Sequence, residues 1–301
     1  MKLKLALLCA LTAAASAARA QDIEPRSYSN APVGVNFLLG GYAYTQGGVA
    51  FDTDTQITDP HLKTSSAVLG YARVIDLWGM SAKVSAVVPY TWLSGTAQYR
   101  GQTIEREVDG LMDPTFKLSV NFYGAPALSL GEFRKYRQDL IIGGSLQVTA
   151  PWGQYDDSKL INLGTNRWSF KPELGVSKAL GPWTAEASLA ARFFTDNKDF
   201  FGDTTRSQEP IYSTQGHLIY NFPSGTWGSL DATYFTGGRS TIGDMRNADL
   251  QQNWRLGSTL ALPVDRQNSV KFYASRGVSA RTGNNFDLLG VAWQYRWGAG
   301  L

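Results

Sequence analysis

Cysteine is nearly missing: the 301 residues contain one, Cys9, in the apolar start of the chain. Beyond that start there is no thiol for a disulfide, for nucleophilic catalysis or for a soft metal site. Histidine is almost as scarce, with only His61 and His217. Past the first twenty residues no apolar run approaches the roughly 20 residues of a membrane-spanning helix, and mean hydropathy is −0.21. An excess of one charge is missing too. Lys2, Lys4 and Arg19 sit in the opening stretch, and without them 28 basic residues fall to 25 against 25 acidic ones. Nothing in that balance points to nucleic acid.

The opening stretch itself is informative. Lys2 and Lys4 precede an apolar run from Leu5 to Ala17, then Ala18-Arg19-Ala20. This is the pattern of a secretory signal peptide over 1–20, too short in its apolar part to anchor as a helix. Cys9 stands too close to the basic start to be a lipidation site. Residues 21–32 are expected to form a periplasmic N-terminal segment, and 33–301 the folded body.

In that body the hydrophobic period is two. Phe116, Leu118, Val120 and Phe122 alternate with Thr115, Lys117, Ser119 and Asn121; Trp168, Phe170, Leu174 and Val176 alternate with Ser169, Lys171, Glu173 and Gly175. Each such stretch is a strand with one apolar and one polar face. Twelve are read, at 33–44, 64–74, 79–91, 113–123, 139–150, 167–180, 183–195, 210–222, 226–236, 253–262, 269–278 and 286–297. Most reach the 9 to 11 residues or so that a tilted strand needs to cross a bilayer. Short connections such as 181–182 and 262–268 alternate with long ones such as 45–63, 152–166, 196–209 and 237–252, and all nine tryptophans fall near strand ends. The expectation is an all-β fold: a transmembrane antiparallel β-barrel of about twelve strands, closed because lipid leaves no unpaired backbone unpunished, in a bacterial outer membrane with its long loops outward. Connection 124–138 is too long for the pattern, and 132–136 is a candidate surface helix. A soluble β-sandwich is the competing fold, and it predicts shorter strands without tryptophan bands. The final strand alternates Leu289, Val291, Trp293, Tyr295 and Trp297, an ending that resembles the signal read by barrel-assembly machinery, although Gly298 to Leu301 extend past it.

Several longer strings carry a family resemblance: Pro32-Val33-Gly34-Val35-Asn36, Gly110 with Asp113-Pro114, Tyr123-Gly124-Ala125-Pro126-Ala127, Pro151 with Gly153-Gln154-Tyr155-Asp156, and above all Leu160-Ile161-Asn162-Leu163-Gly164-Thr165-Asn166-Arg167-Trp168-Ser169-Phe170-Lys171-Pro172-Glu173. Through these the chain resembles the MetA-pathway phenol-degradation family of outer-membrane barrels over almost its whole mature length. The resemblance implies a channel for passive uptake of aromatic or other small hydrophobic molecules, with membrane lipids, the assembly machinery and such a ligand as partners.

Projecting the alternation inward places Lys117, Asn121, Gln147, Lys171, Glu173, Glu186, Arg192, His217, Asn253, Arg255, Lys271 and Arg296 in the lumen. Two readings are open: the ions pair and fill the barrel, giving a plugged structural or adhesive protein, or they line a selective path. Lys171, Glu173, Glu186 and Arg192 would form a constriction if the Gly181 turn pairs their strands. In the outer loop Tyr155, Asp156, Asn162 and Asn166 are candidates for specificity. Asp156-Asp157 lacks the spacing of a Ca²⁺ loop, so it reads as solvated charge rather than a cation site. The paired glycines Gly40-Gly41, Gly47-Gly48, Gly143-Gly144 and Gly237-Gly238 lie within or beside strands, where glycine permits bends and close backbone approach.

No cofactor or metal is expected, and no enzyme. A lipid hydrolase would need a serine in reach of a histidine; Ser213 and His217 are the one pair that shares a lumen face, and a lone lumen histidine more often has a structural role. A protease would need Asp156 or Asp157 beside His61.

Overall fold

The computed structural model describes residues 23–47, 57–99, 102–159, 161–281 and 286–301. The expected leader, 1–20, and Leu160 lie outside them. Seventeen strands and one helical turn follow in order: β1 Val35–Gly47, β2 Ile57–Leu77, β3 Met80–Tyr99, β4 Gln102–Leu111, β5 Thr115–Tyr123, α1 Leu130–Phe133, β6 Leu140–Thr149, β7 Ser169–Leu180, β8 Trp183–Phe194, β9 Asn197–Phe200, β10 Thr204–Gln208, β11 Ile211–Asn221, β12 Trp227–Gly237, β13 Ser240–Ile242, β14 Met245–Arg246, β15 Gln251–Pro263, β16 Asn268–Ala280 and β17 Phe286–Gly298.

Twelve of these close a barrel. Each of β1, β2, β3, β5, β6, β7, β8, β11, β12, β15, β16 and β17 pairs with its chain neighbour, and the ring is completed where β1 pairs antiparallel with β17, from Val35↔Gly298 to Gly47↔Phe286. Closure removes the unpaired edge that an open sheet would present. All twelve strands expected from periodicity are present, several of them longer than expected. β2 and β3 run to 21 and 20 residues and rise past the rest of the wall, so His61, expected in a loop, is paired in β2 opposite Thr96.

The alternation separates two environments. Leu69, Val88, Leu118, Leu146, Leu174, Leu189, Leu230, Leu256, Phe272 and Leu289 are exposed on the outside of the wall, while Ser119, Gln147, Glu173, Ser188, Asp231 and Thr259 are buried inside it. That is the reverse of a water-soluble domain, and it suits a hydrocarbon exterior around a polar lumen. Exposed Trp78, Trp183 and Trp293 lie toward the end of the short turns; exposed Trp92, Trp152, Trp168 and Trp254 lie toward the other end. Trp227 departs from this pattern: the Arg26 guanidinium stands 4.8 Å from its ring.

The tight β2–β3 turn carries positive φ at both Trp78 (55°) and Gly79 (80°), the geometry that matches strand twist in a two-residue hairpin. In the long connection after β5, Ser129 and Glu132 form a reciprocal capping box around α1, so the helical turn begins slightly before the expected 132–136. The outer connections are more ordered than a reading as loops allows. β4 pairs with the upper half of β3, and β9, β10, β13 and β14 form a separate four-stranded sheet. These pieces run from two to ten residues, and such short paired segments carry little periodic signal.

Candidate functional site

Residues 23–32, part of the segment 21–32 expected on the periplasmic side, run inside the barrel at its short-turn end. Backbone bonds from Val33 N–H to Leu128 O and from Gly34 N–H to Val74 O fix the entry. Above them the chain makes a turn with Arg26 at φ 70°, which aims its N–H at Glu186 Oε2, 2.7 Å away. Three side chains then reach the wall: Glu24 Oε2 lies 2.6 Å from Lys117 Nζ, the Arg26 guanidinium donates to Asn221 Oδ1, and Tyr28 Oη donates to Glu173 Oε1 at 2.8 Å.

The wall has a matching recess. Gly175 faces inward, and a Cβ there would come within 2.1 Å of the Tyr28 ring; one on Gly143 would come within 2.6 Å. Gly143 belongs to a pair read from sequence as permitting close backbone approach, Gly175 was not so read, and the side chain that both admit is Tyr28. Tyr28, Ala125 and Ile141 form a small apolar cluster beneath it.

Around this segment the lumen is a charge network. Lys171 Nζ lies 3.4 Å from Glu173 Oε2, Ser177 Oγ donates to Glu186 Oε1 at 2.8 Å, and His217 Nδ1 is 2.7 Å from Asp231 Oδ1, whose other oxygen accepts from Ser229 Oγ at 3.0 Å. A small polar pocket lies among Glu24, Tyr28, Lys171, Glu173, Glu186 and His217. Confinement inside the barrel would raise the Glu24 carboxyl, but Lys117, with Lys171 and Ser27, reverses this and holds it well below the usual carboxylate range.

The expected lumen residues divide into groups. Lys117, Gln147 and Lys171 face one another across β5, β6 and β7, and Glu173, Glu186 and His217 join them. The β7–β8 turn at Gly181 does pair the strands expected to form a constriction, and Glu186 stands opposite Ser177. Arg192 lies higher, half-buried and opposite Ile211. Asn121 donates to the Tyr28 carbonyl, and Asn253 accepts from the Arg281 N–H. Arg255 is buried near the outer rim, donating to Ser275 Oγ and Phe286 O with its guanidinium 3.7 Å from the Phe286 ring. Lys271 faces the lumen from β16, 5.8 Å from the Tyr273 ring. Arg296 is exposed at the short-turn rim, donating to Arg266 O, and does not join the network.

The loop candidates tie the loop to itself and to β9. Tyr155 Oη donates to Asp199 O and accepts from Asn197 Nδ2; Asn162 brackets Asp156 with bonds to its N–H and its carbonyl; Asn166, at φ 52°, donates to Asn197 Oδ1. Behind them is Asp113, 2% exposed, which accepts from Gly153 N–H and from both the N–H and hydroxyl of Thr165 at 2.6–2.9 Å. Its role was not read from sequence, though Asp113, Gly153 and Thr165 all lie in the strings that carried the family resemblance. Glu24, Arg26, Tyr28 and Asp231 were missed as well. Asp231 was available from the parity of its own strand; the other three precede the first alternating stretch, where parity has no purchase.

Ser213 and His217 are not brought together. They lie four residues apart along β11, roughly 13 Å at strand rise, and His217 turns its Nδ1 to Asp231.

Comparison with known proteins bears on the whole wall. Residues 37–295 match the family described as "Putative MetA-pathway of phenol degradation". An outer membrane channel from Pseudomonas putida F1 is similar with a TM-score of 0.76 and 20% identity, over 92% of this chain and 100% of that one. The transport unit of the autotransporter AIDA-I from Escherichia coli is similar with a TM-score of 0.53 and 9% identity, over 92% and 93%. No curated protein matches. At these identities the structural likenesses concern the fold.

Proposed function

From the premise that the chain belongs to the family described as "Putative MetA-pathway of phenol degradation", we propose that it is an outer-membrane channel for passive entry of small hydrophobic or aromatic compounds. The observation that supports this best is the material filling the lumen. It is a separate chain segment held by side-chain bonds such as Tyr28 to Glu173 and Glu24 to Lys117, rather than an apolar core of side chains from the wall. A barrel filled by its own wall cannot be emptied, but a segment joined through the start of β1 can shift without breaking a ladder. The charges flanking it would tune what passes, and transport would be downhill. Proteoliposomes containing the folded protein are expected to take up toluene faster than protein-free liposomes. Equal uptake would contradict the reading.

The plugged structural barrel is the second reading, favoured by the density of ties between residues 24–28 and the wall. It predicts no conductance and no uptake under any condition. A lipid hydrolase would lose activity on Ser213→Ala, and the separation of Ser213 from His217 argues against that pair.

A further inference from the structure

The lysines of one lumen wall form a descending series. Lys171 and Lys117 stand at one level, linked through Gln147. Lys117 is opposite Ser85 and Lys83 is opposite Ser119, so Lys83 lies one inward-facing step, about 7–8 Å diagonally, closer to the short-turn end. Lys117 is already matched to a carboxylate: Glu24 meets its ammonium at 2.6 Å and receives the Ser27 hydroxyl at 3.0 Å. Among the described residues Lys83 has no such partner: no carboxylate lies within ion-pairing distance of it, and Glu24 and Glu186 act on it only at longer range. Lys83 borders a separate small pocket whose other polar lining includes Ser27, Ser29, Ser81, Ser119 and Asn121, and among the described residues no second charge lines it. An enclosed ammonium without a counter-charge is costly, and the donors around it repeat those that hold Glu24 one step above.

We propose that this cavity receives the carboxylate head group of a small organic anion, with Lys83 as the charge and the serine hydroxyls as neutral donors. The inference deepens the channel reading and rests on it: it names, within the hydrophobic or aromatic class, compounds carrying a carboxylate, and it places their binding point between the N-terminal segment and β2, β3 and β5. Glu24 on Lys117 is the internal precedent, a carboxylate of the chain itself on the same kind of donor set.

Titration of the purified, folded full chain with benzoate, and with benzamide as its uncharged counterpart, tests this. Benzoate is expected to bind about tenfold or more tighter than benzamide, and Lys83→Gln to remove that advantage, as loss of one charged hydrogen bond would. Lys83→Arg should retain it, and Lys271→Gln, four strands away on β16, should leave it in place. Equal binding of the two probes, an unchanged preference in Lys83→Gln, or an equal loss in Lys271→Gln would overturn the assignment. Heat-modifiable gel mobility reports folding. If Lys83→Gln does not fold, Ser119→Ala decides instead, with an expected loss of about fivefold for a neutral hydrogen bond and no loss counting against the site. Toluene uptake separates the two ideas: uptake without benzoate preference ends this inference alone, whereas absence of uptake ends the channel reading.

Discussion

Asp113 at the outer mouth and Glu186 at the inner one are both buried carboxylates that receive backbone N–H groups from a segment outside the barrel wall. Their surroundings differ. Asp113 clasps a loop that is anchored in β6 and β7 on either side, and the clasp is packed by backbone: a Cβ on Gly153 would fall 2.7 Å from the Asp113 N, and one on Gly164 2.8 Å from Gly153. Glu186 receives a segment that joins the wall through β1; backbone bonds hold it at its root, at Val33 and Gly34, and its other ties to the wall over residues 24–28 involve side chains. A clasp of backbone and glycine opens only if the fold opens, whereas ties between side chains can be exchanged for water or a ligand. The difference suggests a fixed outer entrance and an adjustable interior.

The largest effect expected is from Gly175→Val. Its Cβ would meet the Tyr28 ring at 2.1 Å, an overpacking that costs about 1–3 kcal/mol and falls on the docked segment rather than on the β7 ladder. Single-channel conductance should rise while heat-modifiable mobility is kept; a fall in both would place the strain in the wall and erase the contrast. Next is Asp113→Ala, which strands two backbone donors at about 1–3 kcal/mol. Limited proteolysis should begin between residues 152 and 166 with conductance little changed. A conductance rise matching that of Gly175→Val would show the two mouths to be one unit.

Smaller changes sharpen the same contrast. Tyr28→Phe removes one hydrogen bond to Glu173, worth about 1 kcal/mol, and amide exchange of residues 26–29 should quicken without change in the strands. Glu24→Gln should do least, because its ion pair is partly open to lumen water and screened by salt, about 1 kcal/mol at most. Because Lys117 holds the folded Glu24 carboxyl below its ordinary range, the tie is fully present above that range and is lost only as pH falls through the lowered value. Amide exchange at residues 24–27 should therefore be steady between about pH 7 and 5; acceleration across that interval would show the carboxyl to be unshifted.

The wall was legible because a strand in lipid must be long and must alternate, and both features survive in the sequence: Thr115–Tyr123 and Ser169–Leu180 were read almost to the residue. The interior was legible in part. Parity placed Lys171, Glu173, Glu186 and His217 on the inner face, but parity applies only to strands, so Glu24, Arg26 and Tyr28 carried no signal of their destination. Lys83 and Asp231 had the signal, in strands correctly read, and were passed over. In the outer loop, polar residues such as Tyr155, Asp156, Asn162 and Asn166 look alike whether they face a ligand or tie loops together, and here their bonds go to the loop and to β9. The Asp113 clasp was unreadable for a different reason: its partners lie 40 and 52 residues away, beyond any local pattern.

The central claim is that residues 23–32 occupy a path that the wall itself leaves open. Single-channel conductance of the native chain beside that of a chain lacking residues 21–31 tests it most directly. The account predicts a small, intermittent conductance in the native protein and a larger, steady one in the shortened protein at the same salt, with both folded by gel mobility. Identical conductances would contradict it.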